Sequence, residues 1–189
     1  MEELLKKAMD KDEKLLWSGR PEKFETFDKT YSPIFKRKII ISALIGIILT
    51  VGFIILSARA NMEIKWGAIV IIWLFCVIAP INIYRDANTL TKKIMYGITD
   101  RRFITVSDTT KNITYDKLDK AIFYTDADRH TSIICGTKAE KLKEKNLREL
   151  ATMGVCMDAD GKECEKYVMY AVPEAEKLKK LLADYIKIV

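Results

Sequence analysis

Histidine is almost missing from this chain: His130 is the only one among 189 residues. A zinc site would have few ligands to draw on. Cysteine is scarce as well, and Cys76, Cys135, Cys156 and Cys164 form no Cys-x-x-Cys pair. Free thiols are the expectation for such a set in a reducing compartment. The chain carries no glycine-rich phosphate loop, no Ser/His/Asp ordering and no paired-histidine motif, so the common catalytic signatures are missing. Acidic residues are plentiful, but nothing singles out one pair as acid and base. The net charge of +6 is spread along the chain and gathers into no basic stripe with interleaved aromatics. That argues against a nucleic-acid partner. These absences point to a protein that is not an enzyme and needs no cofactor.

The most informative absence is local. Residues 39–56 contain no charged side chain, and neither do residues 66–84. At about 1.5 Å per residue each run reaches roughly the 30 Å of a bilayer's hydrocarbon core. Two core helices of a soluble protein would each keep a polar face toward water. Here Ile39, Ile40, Ile41, Leu44, Ile45, Ile47 and Ile48 go all the way round, as do residues 69–75. The expectation is a transmembrane helical hairpin, with the loop 57–65 carrying Arg59, Glu63 and Lys65 in water. A cleaved signal peptide fits poorly, because the first run starts far from Met1 and a second follows. The absence of charge inside both runs also argues against an ion or proton relay.

Flanking charge gives the orientation. Lys36, Arg37 and Lys38 abut the first run, and Arg85, Lys92 and Lys93 follow the second. Lys and Arg collect on the cytoplasmic side, so both termini are expected inside a multi-pass inner (plasma) membrane protein. Tyr31, Trp66 and Tyr84 stand where interfacial rings are favoured. Together with Arg101, the six flanking cations form a candidate lipid-headgroup set. The alternative is that the flanking charges only fix topology and that Arg101 is simply solvated. Within the first run Ser42, Gly46 and Thr50 recur every fourth residue, a spacing that lets another backbone approach closely, either the second helix or another copy. Pro80 predicts a kink late in the second run.

The remainder reads as a separate folded unit. Residues 1–16 show Leu4, Leu5, Ala8 and Met9 at helical spacing, a short amphipathic helix resting on the membrane or on the soluble part. After the hairpin the period changes from helical to alternating. Ile94, Tyr96 and Ile98, then 103–106, 113–115, 121–124 and 131–135, are short apolar stretches separated by polar turns, the pattern of an antiparallel sheet or barrel. Residues 138–150 leave helix and strand edge both open. Residues 153–157 and 166–172 flank the turn Asp158-Ala159-Asp160-Gly161 and read as a hairpin. Pro173 then suits the first position of a final amphipathic helix whose apolar face carries Leu178, Leu182 and Tyr185.

Three motifs in order carry a resemblance. Leu15-Leu16-Trp17-Ser18-Gly19-Arg20-Pro21 precedes the hairpin, Tyr96-Gly97-Ile98-Thr99-Asp100-Arg101-Arg102-Phe103-Ile104 follows it, and Tyr170-Ala171-Val172-Pro173 leads into the last helix. This arrangement resembles the bacterial PH-like domain family with a two-helix transmembrane hairpin. The resemblance implies an α+β membrane protein: an N-terminal segment (1–38) packed near the PH-like domain, the hairpin (39–84), and a PH-like antiparallel β-barrel or sandwich (85–189) capped by a C-terminal α-helix. It implies no activity. The function expected is a non-enzymatic, membrane-anchored interaction domain presenting a protein- or lipid-binding surface at the cytoplasmic face. The alternative is a small subunit of a membrane transport or envelope-maintenance complex. The partners expected are the lipid bilayer and either a second copy or another membrane protein.

Overall fold

The computed structural model describes residues 2–142 and 144–189, with the side chains of Ala79 and Lys145 left aside. It is an α+β protein with two long apolar helices and two antiparallel sheets. A short helix α1 (Glu2–Ala8) leads to strand β1 (Leu15–Gly19). Helix α2 (Tyr31–Arg59) and helix α3 (Trp66–Lys93) then run antiparallel, joined by residues 60–65. Both are long and apolar enough to cross a membrane. Their outer faces leave Ile40, Leu44, Ile48, Val70, Leu74 and Phe75 exposed, a contiguous apolar surface of a kind that soluble monomers rarely present.

Each helix is longer than its apolar run. α2 begins at Tyr31, so Pro33 lies inside its first turn, where a missing N–H has no helical partner to lose. α3 passes through Pro80 and continues beyond Tyr84 to Lys93. Its last turns bury Ile83, Ala87 and Leu90, spaced three to four residues apart on one face. Length of apolar run reports only the part of a helix that is apolar all round. These extensions are amphipathic and end against protein.

The first sheet has the order β1-β2-β3-β4, with β2 (Met95–Thr99), β3 (Arg102–Val106) and β4 (Thr110–Thr114). β2 and β3 form a hairpin in which Ile98 faces Phe103 and Met95 faces Val106. The N-terminal strand β1 pairs with β2, Trp17 opposite Ile98, across the whole length of the helical hairpin. Alternating side chains of β2 point to two different cores. Tyr96 and Ile98 join the main core, while Met95, with Ile104 and Val106, meets Leu5 of α1. Of the two sites left open for the N-terminal helix, the sheet is therefore the observed one. Gly97 makes the approach feasible, since a Cβ there would stand 2.6 Å from the Leu5 Cδ1. Both faces of β2 are covered, which is why the strand is buried throughout.

The second sheet has the order β5-β6-β8-β7, built from β5 (Ala121–Thr125), β6 (Thr131–Cys135), β7 (Cys156–Met157) and β8 (Cys164–Met169). Among the described residues no ladder joins the two sheets, so the strands do not close into a barrel. Side chains bridge them instead. Thr105 and Tyr167 share a 2.7 Å hydrogen bond, Tyr170 N donates to the Tyr96 hydroxyl at 3.0 Å, and Phe103 lies 5.7 Å from Tyr167, centroid to centroid.

The ambiguous residues 138–150 are helical: two single 3₁₀ turns lead into α4 (Leu147–Met153), with Lys143 outside the described residues. The final helix α5 (Ala175–Leu182) starts two residues later than Pro173 suggested, because Glu174 adopts the left-handed conformation at φ 56° and ends the preceding turn. Leu178 and Leu182 are fully buried. Tyr185 lies beyond the helix, partly exposed, and stacks on Tyr115 with centroids 5.3 Å apart.

Candidate functional site

Polar side chains converge where α2 leaves the folded unit. Its first turn needs acceptors for free N–H groups, and two carboxylates supply them. Asp28 Oδ1 accepts from Tyr31 N at 2.8 Å. Asp128, from the loop between β5 and β6, accepts from Thr30 N at 3.1 Å, Lys29 N at 3.3 Å and the Thr30 hydroxyl at 3.2 Å. Burial pushes the Asp28 carboxyl above its ordinary range, despite the Tyr31 N–H and the nearby Arg148. Asp128 goes the other way: against the upward push of burial, the N–H groups of Thr30 and Lys29 hold it low.

Behind these caps sits Arg148 of α4, only 1 % exposed. Its guanidinium pairs with Asp28, donates to Thr26 O at 2.8 Å and Glu25 O at 3.2 Å, and reaches the Tyr170 hydroxyl at 3.2 Å. It also lies over the rings of Tyr31 at 3.8 Å and Phe24 at 4.4 Å. The Tyr31 hydroxyl accepts from Arg148 N and donates to Glu144 O. One cation thus ties the pre-helix loop, the start of α2, α4 and the end of β8 together. Apart from the buried Arg148 Nε, which has no hydrogen-bond partner among the described residues, the polar groups of Arg148 and Asp28 are taken up by one another and by backbone, an arrangement that holds elements together. The sequence reading missed it. The signal was an arginine sharing a helix face with Leu147 and Ala151, both buried.

In front of the caps a polar groove of about 570 Å³ opens, lined by Lys23, Glu25, Phe27, Asp28, Lys29 and His130 among others. His130 Nδ1 stands 3.5 Å from Asp126 Oδ2.

The predicted residues fall as follows. Lys36, Arg37 and Lys38 are exposed on the first turns of α2, and Arg85, Lys92 and Lys93 are exposed on α3. Lys92 and Lys93 stand roughly 10–12 Å further along α3, more than a Debye length from Arg85, and Lys93 pairs with Asp108 at 2.9 Å. The six cations are therefore not gathered in one ring. Arg101 is exposed at the β2–β3 turn. Its neighbour Arg102 is engaged: Nε and Nη2 donate to the Glu13 carboxylate at 2.9 and 2.7 Å, and its N–H donates to Thr99 Oγ1.

Ser42 and Gly46 face α3, and Thr50 donates back to Gly46 O within its own helix. A Cβ on Gly46 would lie 3.1 Å from Cys76 Sγ. The Ser42 hydroxyl donates to the Cys76 carbonyl. That carbonyl is four residues before Pro80, which has no N–H to offer it, so Ser42 satisfies the acceptor that proline leaves free.

Glu13 gives a pH-dependent prediction. Burial alone would raise its carboxyl, but hydrogen bonds from Arg102, Thr99 and Asp10 N outweigh it and lower the pKa to about 2. A depressed folded value means its stabilisation is complete above the ordinary pKa of 4.5 and is lost as pH falls toward 2. Unfolding midpoints measured between pH 7 and pH 2.5 should fall more steeply for the native chain than for Glu13→Gln. Parallel curves would remove this pair from the acid response.

No family model, curated protein or solved structure matches this chain.

Proposed function

We propose that the chain is a membrane-anchored, non-enzymatic interaction module of PH-like type, with both termini on the cytoplasmic face of a bacterial inner membrane. One observation carries the reading. β1 precedes the two apolar helices and β2 follows them, yet the two strands pair in one sheet. The ends of the hairpin must therefore lie on the same side of any membrane the helices cross, which is the topology of two spans. The exposed apolar faces of α2 and α3 support insertion, and the basic flanks support a cytoplasmic folded unit. Support for the PH-like type comes from two four-stranded antiparallel sheets that share a main core, with α5 packed into it, together with the motifs of the sequence. Without a closing ladder among the described residues, it is an open version of that plan.

Two measurements test the proposal. Membranes washed at alkaline pH should retain the protein. In intact cells, a cysteine placed at Asn61, in the loop between α2 and α3, should react with an impermeant thiol reagent once Cys76, Cys135, Cys156 and Cys164 are replaced by serine. Release by alkali would refute the anchor. Labelling only after lysis would refute the orientation.

A further inference from the structure

A second groove lies between α2 and α3, about 350 Å³ and apolar, lined by Phe35, Ile39, Ala43, Trp73, Val77 and Ile81 among others. It adjoins the polar groove. Phe27 lines the polar one, Phe35 the apolar one, and the two rings touch with centroids 4.6 Å apart. Ser32, Phe35, Ile39 and Ser42 fall on one face of α2, so the combined track follows that face for roughly 15 Å. Each volume lies in the roughly 300–1,000 Å³ range of small-molecule sites. The track is charged at the end near the folded unit and apolar at the end within the hairpin, the layout of an amphipathic ligand.

The charges select among such ligands. Lys23 and Lys29 line the polar groove with Glu25, Asp28 and Asp128, and Arg148 lies buried behind Asp28. Asp28 and Arg148 satisfy each other, and Asp128 is taken up by the Thr30 and Lys29 N–H groups. Among the described residues Lys23, Lys29 and Glu25 have no ion-pair partner within 4.0 Å, and all three are exposed. Two free lysines suit a phosphate. A free carboxylate beside the exposed Phe27 ring suits an ammonium. Unpaired side chains of both signs at one groove suit a headgroup that itself carries both charges, over one that is only anionic.

Resting on the membrane reading above, we propose that the joined grooves hold one phospholipid whose headgroup carries a phosphate and a primary ammonium, with an acyl chain along Ile39, Ala43, Trp73 and Val77. The full chain in mild detergent, stripped of lipid, is titrated with phosphatidylethanolamine, phosphatidylglycerol or phosphatidylcholine of identical chains, and bound lipid is counted by native mass spectrometry. One phosphatidylethanolamine per chain is expected, retained at least tenfold better than the other two. Ala43→Trp should fill the apolar groove and abolish retention. Glu25→Lys, outside the hairpin, should shift the preference to phosphatidylglycerol, and it decides the matter if Ala43→Trp fails to fold. Equal retention of all three lipids, preference for phosphatidylglycerol in the native chain, or an unchanged preference in Glu25→Lys overturns the proposal. Release from membranes by alkali would refute the anchor itself. An anchored protein without lipid selectivity refutes only this site.

Discussion

Replacing Arg148 by Met should lower the unfolding free energy by about 3–5 kcal/mol, the usual consequence of removing one partner of a buried ion pair. Asp28 would lose its guanidinium while remaining nearly inaccessible to water, and the carbonyls of Glu25 and Thr26 would lose their donors. The test is chemical or thermal unfolding of the full chain in detergent, followed in the near-ultraviolet, where Tyr31 and Tyr170 report directly on the site. Asp28→Asn in the same background should recover part of the loss, since it removes the stranded charge yet keeps a side-chain oxygen for Tyr31 N. A loss below 1 kcal/mol, or additive effects of the two substitutions, would show that the pair contributes little.

Leu90→Ala should cost about 2–5 kcal/mol, because a fully buried leucine leaves both lost contacts and a cavity. Its second effect is the more specific one. Leu90 lies on the part of α3 beyond the apolar run, packed in the main core with Ile83 and Ile94. On the membrane reading proposed above, weakening that contact should loosen the folded unit from the hairpin without releasing the hairpin from lipid. A spin label at the exposed Glu163 should then move more freely relative to the lipid in nanodiscs. Thr91→Ala, one residue along and exposed, is the control and should change neither stability nor mobility measurably. Equal effects of the two substitutions would mean that α3 is not docked through Leu90.

Those two positions also mark the limits of what the sequence discloses. The apolar runs, the β2–β3 hairpin around Asp100 and the buried face of α5 were legible, because each is a local pattern with a fixed period. The extension of α3 to Lys93 was not, since residues 85–93 mix Arg, Asp, Asn and Lys with the few apolar side chains that pack. Arg148 and Asp28 are separated by 120 residues, and an ion pair of that separation leaves no spacing to read. The role of Ser42 was visible only in half: small-residue spacing pointed to close packing, while its hydrogen bond depends on where Pro80 of the other helix falls. The basic residues around the hairpin read as one group because they are close in sequence to its ends. In space the helical rise of α3 separates Arg85 from Lys92 and Lys93.

The pairing of Trp17 with Ile98 carries a consequence for how the molecule comes into being. A ribosome adding about 5–20 residues per second delivers β2 roughly 4–16 s after β1. During that interval β1 has no strand to pair with, and Leu5 and Trp17 have no core to enter. The whole helical hairpin must be made before the two strands can meet. The earlier strand is thus secured only after the later one has been made, and the sheet closes only when the two ends of the helical hairpin have come back together.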